Sequence, residues 1–185
     1  MKRSLVYHIS LQAMFIALYF ILAKITLSFG NLHLTLASLP LLVSALLLGF
    51  GDTVMVALLG EFLIQVFSYG ITLTTPLWLV APVVRALILA GAAALYRKKS
   101  LELDHHAFAY YLTVVVAAFA VTLINTGVLF LDALIVGYPF SFVWLETLLR
   151  FVSGIVTAVV VALLAHPLAD ALRRLSPSLS SIKPH

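Results

Sequence analysis

The chain has 185 residues, of which 63% are hydrophobic and 10% charged, and its mean hydropathy of +1.16 is far above that of soluble domains. A chain this short cannot bury so many apolar residues in a core. A water-soluble enzyme, a nucleic-acid binder and a disordered linker are therefore poor interpretations, and lipid is the expected solvent. The net charge of +4 is expected to orient the chain in a bilayer, and the absence of cysteine excludes disulfides and thiolate metal sites.

Six apolar segments are candidates for membrane-spanning helices, each of which needs roughly 20 mostly apolar residues. In chain order they cover about residues 5–27, 36–50, 53–67, 77–96, 107–136 and 142–172. The whole chain, 1–185, is therefore predicted to be one all-α integral-membrane domain. The second and third segments are short, and the turn between them, 49–52, places Asp52 as an N-cap. A single re-entrant hairpin is the alternative for this pair.

Basic residues predict the orientation of these helices. Lys2 and Arg3 precede the first segment, and the connections after segments one, three and five contain no Lys or Arg. The positive-inside rule therefore places both termini and the connection between segments four and five in the cytoplasm. A signal peptide is the alternative for the N-terminus, but its apolar run is long and lacks a convincing cleavage site, so we predict a retained helix. The other flanking basic residues are Arg97, Lys98, Lys99, Arg173, Arg174 and Lys183.

Motifs for catalysis or cofactor binding are missing from the sequence. It contains no Walker A glycine loop, no HExxH and no G-x-S-x-G, so nucleotide binding of the P-loop kind, zinc hydrolysis and acyl transfer have no support. His105 and His106 are adjacent, so their side chains would diverge on a helix, and a solvated position is favoured over a metal site. We predict no enzyme, no cofactor and no resident metal.

Polar side chains inside lipid-length segments are the candidate binding residues, because such groups are costly in lipid and usually face a bundle interior or a wet cavity. A spacing of four places Glu61 and Gln65 on one helix face. In the predicted orientation a second group converges in the outer half of the membrane and forms a polar pocket open to the exterior. This group consists of Trp78, Arg85, Glu146 and Arg150, and Asn125 lies in the middle of the fifth segment.

Each candidate could also have a purely structural role, and Arg85 is the hardest to account for in that way. A guanidinium does not deprotonate to escape lipid, and its fork of donors matches a carboxylate, so we favour a ligand role for Arg85. Glu61 could instead pair with Arg85 or cap a loop. Structural roles for the remaining candidates are an intrahelical ion pair (Glu146 with Arg150), a helix–helix hydrogen bond (Asn125) and a membrane-interface position (Trp78).

Two uncharged connections on the predicted outer side are suited to cover a small ligand. Residues 30–35 join the first two segments, and residues 68–76, rich in Gly, Pro and hydroxyl groups, join the third and fourth. The second connection contains Tyr69 and Thr75. Both are too short to be domains, and simple helix connection is the alternative to a lid.

The chain resembles the S-component of an energy-coupling factor (ECF) vitamin transporter. The resemblance rests on six short helices, the uncharged outer loops and the small-residue step Ala13-x-x-x-Ala17. Within the family the pantothenate-type subunit is most similar. The stretches that carry this finer resemblance are 60–65 (GEFLIQ), Tyr69-Gly70, 74–78 (TTPLW) and 82–85 (PVVR).

The resemblance implies a prokaryotic, multi-pass protein of the cell membrane that binds one water-soluble vitamin. Its outer pocket would be formed by helices four to six and the loops after helices one, three and five. A transmembrane coupling protein would dock on Ala13 and Ala17, and two cytoplasmic ATPases would drive toppling and inward release. For pantothenate, Arg85 would pair with the carboxylate. The remaining expected binding residues are Glu61, Gln65, Tyr69, Thr75, Trp78, Asn125 and Glu146, with Trp78 packed on the gem-dimethyl group.

The residues leave further interpretations open. The substrate could be another vitamin of the same family, such as pyridoxine, hydroxymethylpyrimidine or folate. A stand-alone ion-coupled carrier could use Glu61, Asp132 or Glu146 as its coupling carboxylate. A membrane-embedded enzyme has no catalytic constellation to support it, and a structural subunit would bind no small ligand.

Overall fold

The computed structural model describes residues 2–29, 32–137 and 139–175. Seven helices follow one another around a short antiparallel hairpin, and a 3-10 turn, Leu103–His105, precedes the sixth helix. The elements are α1 Lys2–Lys24, β1 Thr26–Phe29, β2 Leu32–Thr35, α2 Ser38–Leu47, α3 Phe50–Tyr69, α4 Thr75–Trp78, α5 Val80–Lys98, α6 Ala107–Val136 and α7 Phe140–Leu175.

The predicted all-α membrane fold is confirmed, with one helix much shorter than a span. Five stretches within the described ranges are long and apolar enough to cross a membrane: Val6–Lys24, Phe50–Tyr69, Thr75–Lys98, Ala107–Val136 and Thr147–Arg174. Helix α2 has only 10 residues. At 1.5 Å per residue it is about 15 Å long, roughly half of a hydrocarbon core of about 30 Å.

The connection between α1 and α2 differs from the prediction. Helix α1 ends at Lys24 instead of reaching residue 27, and the chain then forms β1 and β2, whose backbones pair from Thr26↔Thr35 to Phe29↔Leu32. The prediction of a plain loop over 30–35 is therefore wrong for Leu32–Thr35, while residues 30 and 31 lie outside the described part. Their Gly-Asn sequence between two short apolar-alternating runs is a hairpin signal that the helical pattern obscured.

Helices α1 and α3 run in the same direction. The Lys24 ammonium donates to the Ser68 hydroxyl at 2.5 Å near the ends of both helices, and the Gln12 amide donates to Asp52 at 2.5 Å near the start of α3. The intervening hairpin and α2 must therefore return the chain from one end of the bundle to the other. Because α3 alone has 20 residues, this arrangement favours two crossings over a re-entrant hairpin.

The short helix α2 lies at the centre of the bundle. It contacts α1, α3, α5 and α7, and nine of its 10 residues are buried. Its apolar side chains cover its whole circumference, which is typical of a helix that is surrounded by protein on all sides. The long helices that surround α2 expose large apolar side chains on their outer surfaces.

Both helix ends at the α2–α3 turn are capped by side chains. Arg97, in the last turn of α5, donates to the carbonyl of Ala45 at 3.0 Å and to that of Leu48, two acceptors that α2 itself leaves without a donor. Asp52 accepts from the Gly49 backbone N–H at 3.1 Å. The prediction that Asp52 is the N-cap of α3 is wrong, because Gly49 occupies that position and Asp52 caps it from the first turn.

Replacing Arg97 should destabilise the bundle. Arg97→Ala leaves the buried carbonyls of Ala45 and Leu48 without a charged donor, which costs about 2 kcal/mol. We expect a lower melting temperature of the detergent-solubilised protein. Lys98→Ala is the matched control, because it removes an exposed cation one residue further along the same helix. Equal melting temperatures of the two variants would contradict the capping role.

A second polar contact fixes the connection between α5 and α6 onto the end of α7. The Arg173 guanidinium donates to both oxygens of Asp104, at 2.6 and 3.1 Å, and the Asp104 side chain is fully buried. Burial by itself would raise the pKa of the Asp104 carboxyl, but the hydrogen bonds and the charge of Arg173 outweigh it and hold this pKa below its usual range. The ion pair therefore stabilises the fold in proportion to the ionisation of Asp104.

This ion pair predicts an acid-sensitive contribution to stability. Because the folded-state pKa of Asp104 is lower than that of the unfolded chain, its contribution is complete above the unfolded value of about 3.9 and is lost as the pH falls through the folded value. Melting temperatures of the native protein and of Asp104→Asn should differ most at neutral pH and converge in acid. A difference that does not change with pH would contradict this account.

Candidate functional site

A cavity of about 160 Å³ lies between α2, α5, α6 and α7 and is bordered by the end of β2. A single water needs only about 10–15 Å³ of such space, so the cavity accommodates a small organic molecule. Polar and apolar groups contribute about equally to the surface of its wall. The lining residues are Thr35, Ser38, Leu42, Arg85, Leu89, Val114, Ala117, Ala118, Ser153, Gly154, Thr157, Ala158 and Val161.

Arg85 supplies the positive charge of the cavity wall. It lies in the second turn of α5, where the surrounding sequence is apolar. Among the side chains that the structure describes, no carboxylate oxygen lies within 4.0 Å of the Arg85 guanidinium. A partly buried guanidinium that faces a cavity without a contacting acid can donate hydrogen bonds to an anionic group placed there.

Glu61, an acid that interacts electrostatically with Arg85, belongs to a separate polar cluster on α1 and α3. Its two oxygens accept from the Tyr19 hydroxyl at 3.1 Å and from the Gln65 amide at 2.8 Å. Arg85 interacts electrostatically with Glu61 and Tyr19 without forming a contact ion pair. The predicted shared face of Glu61 and Gln65 is therefore present, but neither residue lines the cavity.

Hydroxyl groups supply the remaining polarity of the wall. Thr35 and Ser38 border the cavity where β2 gives way to α2, and Ser153 and Thr157 lie one turn apart on α7. None of the four is among the predicted binding residues, because isolated Ser and Thr are common in apolar helices. Their signal is the spacing of four in Ser153-Gly154-x-x-Thr157-Ala158, which groups hydroxyls and small residues on one helix face.

Trp78, predicted to share a face with Arg85, lies elsewhere. It packs against Leu129 and Ala133 on α6, and the Arg150 guanidinium lies 5.7 Å from its ring centroid. Helix α4 ends at Trp78 and α5 begins at Val80, while Leu79 between them keeps helical backbone angles. Trp78 contacts α6 and is not among the residues that line the cavity.

The other predicted binding residues do not meet in the described cavity wall. Thr75, the first residue of α4, is buried, and its hydroxyl accepts from the backbone N–H of Thr72 at 2.9 Å. Tyr69 is 72% exposed at the end of α3, and Asn125 is half-buried on α6. Glu146 belongs to α7, but its side chain lies outside the described part, so its predicted pairing with Arg150 stays a prediction.

The predicted docking residues Ala13 and Ala17 are exposed on α1, whereas the intervening Phe15 and the following Tyr19 are buried. The face of α1 that carries Ala13 and Ala17 is therefore available to another helix, and the small side chains of these two residues permit a close approach.

Side chains with metal-ligand spacing lie at the other end of the bundle. Asp104, His166 and Asp170 form one group, and Glu102 and His105 form a second group with Asp104. Arg173 already holds both oxygens of Asp104, so an ion there would have to displace a paired cation. We assign these groups to fold stabilisation, and His105 and His106 are exposed, as predicted.

Comparison with known proteins identifies the family. The family described as the ECF transporter, substrate-specific component, matches residues 8–169. The chain belongs to this family. It is therefore a substrate-binding subunit of a transporter and not an enzyme, and its five long apolar helices make this S-component a multi-pass membrane protein.

A solved structure confirms the fold of this S-component. That structure is described as "Structure and mechanism of the S component of a bacterial ECF transporter". Its sequence is 19% identical to this chain, and the two structures superpose with a TM-score of 0.61. The likeness covers 90% of this chain and 98% of the other. No curated protein sequence gives a significant match.

The Glu61 cluster depends on the absence of a side chain at Gly60. A Cβ built there would lie 2.7 Å from Cδ1 of Tyr19, so Gly60→Ala should displace the Tyr19 ring and weaken its bond to Glu61. We expect a loss of about 1–3 kcal/mol in stability, as for other overpacked sites, detectable as a lower melting temperature. Gly127→Ala is the matched control, since a Cβ there meets nothing within 4 Å. If both variants melt alike, Tyr19 is not confined by α3.

Proposed function

We propose that this S-component is the high-affinity binding subunit of an ATP-driven vitamin importer, and that its substrate is pantothenate. It binds the vitamin from outside the cell and releases it inside by reorienting on a shared transmembrane coupling subunit, with two cytoplasmic ATPases supplying the energy. The protein resides in the plasma membrane of a prokaryote. The coupling subunit docks on the exposed Ala13 and Ala17 face of α1.

The observation that carries the choice of ligand is that the Arg85 guanidinium lines the cavity while no described carboxylate contacts it. Pantothenate has one carboxylate, which Arg85 receives as a charge-assisted hydrogen-bonded pair. Its hydroxyl and amide groups find partners among Thr35, Ser38, Ser153 and Thr157, and its gem-dimethyl group is accommodated by the apolar part of the wall. Buried polar groups that are satisfied only by a matching ligand discriminate strongly against other molecules.

The position of the cavity supports loading from outside. Arg85 precedes Arg97 by 12 residues on the same helix, which corresponds to about 18 Å along the axis. The positive-inside rule assigns the Arg97 end, together with both termini, to the cytoplasm. The charged part of the cavity then lies toward the outer side, on the path of a vitamin arriving from the exterior.

Other ligands fit these features less well. Pyridoxine and hydroxymethylpyrimidine carry no carboxylate to pair directly with Arg85, and folate is large for a cavity of about 160 Å³. A stand-alone ion-coupled carrier could use Glu61, Asp132 or Glu146 to take up and release a cation. For Glu61, the two hydrogen bonds that fix its carboxylate favour a structural or electrostatic role instead.

The role of Arg85 can be tested with two ligands that differ in one group. Pantothenol has a hydroxyl in place of the pantothenate carboxylate. We expect the native protein to bind pantothenate about 10- to 100-fold more tightly than pantothenol, the range expected for one charged hydrogen-bonded contact. In Arg85→Ala this preference should disappear. Titration calorimetry of the detergent-solubilised protein measures both affinities.

The control for this experiment is Arg150→Ala, which removes an intramembrane arginine that does not line the cavity. It should retain the preference for pantothenate over pantothenol. An unchanged preference in Arg85→Ala would remove Arg85 from the binding site, and no binding of either compound by the native protein would overturn the assignment of the vitamin.

A further inference from the structure

Glu61 is held near Arg85 but is kept from direct contact with it. The two residues interact electrostatically, yet Glu61 is not among the residues that line the cavity. Both of its carboxylate oxygens are engaged, one by the Tyr19 hydroxyl at 3.1 Å and one by the Gln65 amide at 2.8 Å. A carboxylate that accepts on both oxygens has the pattern of the ionised form.

Two hydrogen-bonding side chains hold the Glu61 carboxylate away from contact with Arg85. Gln65 lies one turn after Glu61 on α3, and Tyr19 reaches Glu61 from α1, where Gly60 leaves room for its ring. Helix α5, which carries Arg85, packs against α3 from another side. Glu61 would have to give up two hydrogen bonds to swing into contact with Arg85.

We propose that Glu61 is the resident counter-charge of Arg85, held in reserve so that the guanidinium is partly neutralised in the empty site and still free to bind the substrate's anion. The identity of that anion rests on the function proposed above. A lone cation in a lipid-surrounded bundle is costly, and a nearby carboxylate offsets this cost without occupying the cavity. The same carboxylate repels an incoming anion, so it lowers the affinity and disfavours ligands with a second negative charge near Arg85.

The first test removes the charge of Glu61 and keeps its shape. In Glu61→Gln the Tyr19 hydroxyl and the Gln65 amide can each donate or accept, so both hydrogen bonds can be retained. We expect the preference for pantothenate over pantothenol to increase roughly tenfold, since one repulsive charge is lost. Glu102→Gln, the same change in an exposed carboxylate at the other end of the bundle, should leave the preference unchanged. A decreased or unchanged preference in Glu61→Gln would overturn the proposal.

The second test requires no ligand. Melting temperatures of the native protein, Glu61→Gln, Arg85→Gln and the double variant form a thermodynamic cycle. Glu61→Gln should destabilise the native protein but be neutral or stabilising when Arg85 is already replaced. Equal effects in both backgrounds would show that Glu61 is not the counter-charge. If the native protein binds neither pantothenate nor pantothenol, the proposed function fails, while this cycle still decides the role of Glu61.

Discussion

The arrangement of this protein depends on one constraint: a helix of 10 residues must occupy a crossing that needs about 20. In lipid, non-helical backbone is tolerated only where protein surrounds it or where it lines a cavity. The bundle meets both conditions, because α2 is enclosed by four other helices and Arg97 binds its terminal carbonyls. At its other end the chain leaves the helix at Thr35 and Ser38, and there the cavity begins. The start of the short helix α2 thus forms part of the cavity wall.

The positions of the basic residues can be explained in a similar way. Most basic residues lie at helix ends, where they reach water or terminate a helix, as Arg97 and Arg173 do. Arg85 is different, because it lies within an apolar helix and faces the cavity. The Glu61 cluster, built from α1 and α3, interacts with it electrostatically. Under the proposal above, this arrangement stabilises the cation and leaves it accessible from the cavity, which a contact ion pair would prevent.

Much of this fold is predictable from sequence, because hydropathy over 20 residues is a strong signal in lipid. The predicted range 107–136 coincides with α6, and Arg85 stands out because a guanidinium inside an apolar run is costly unless it serves a ligand or an ion pair. Predictions that need local geometry are weaker. Helical periodicity does not reveal that Trp78 packs against α6, and the apolar pattern predicts helix and loop where the hairpin Thr26–Thr35 forms. The hydroxyls of Ser153 and Thr157 have meaning only once α5, α6 and α7 are brought together.

The hairpin connects helix α1 to the cavity wall through very few residues. Only Ile25 separates the end of α1 from β1, and the first residue of β1, Thr26, pairs with Thr35 at the cavity. A rotation of α1 about its own axis would be transmitted through a single residue and one rung of backbone hydrogen bonds. The helix that exposes Ala13 and Ala17 is therefore joined to the cavity wall by a short, continuous stretch of chain.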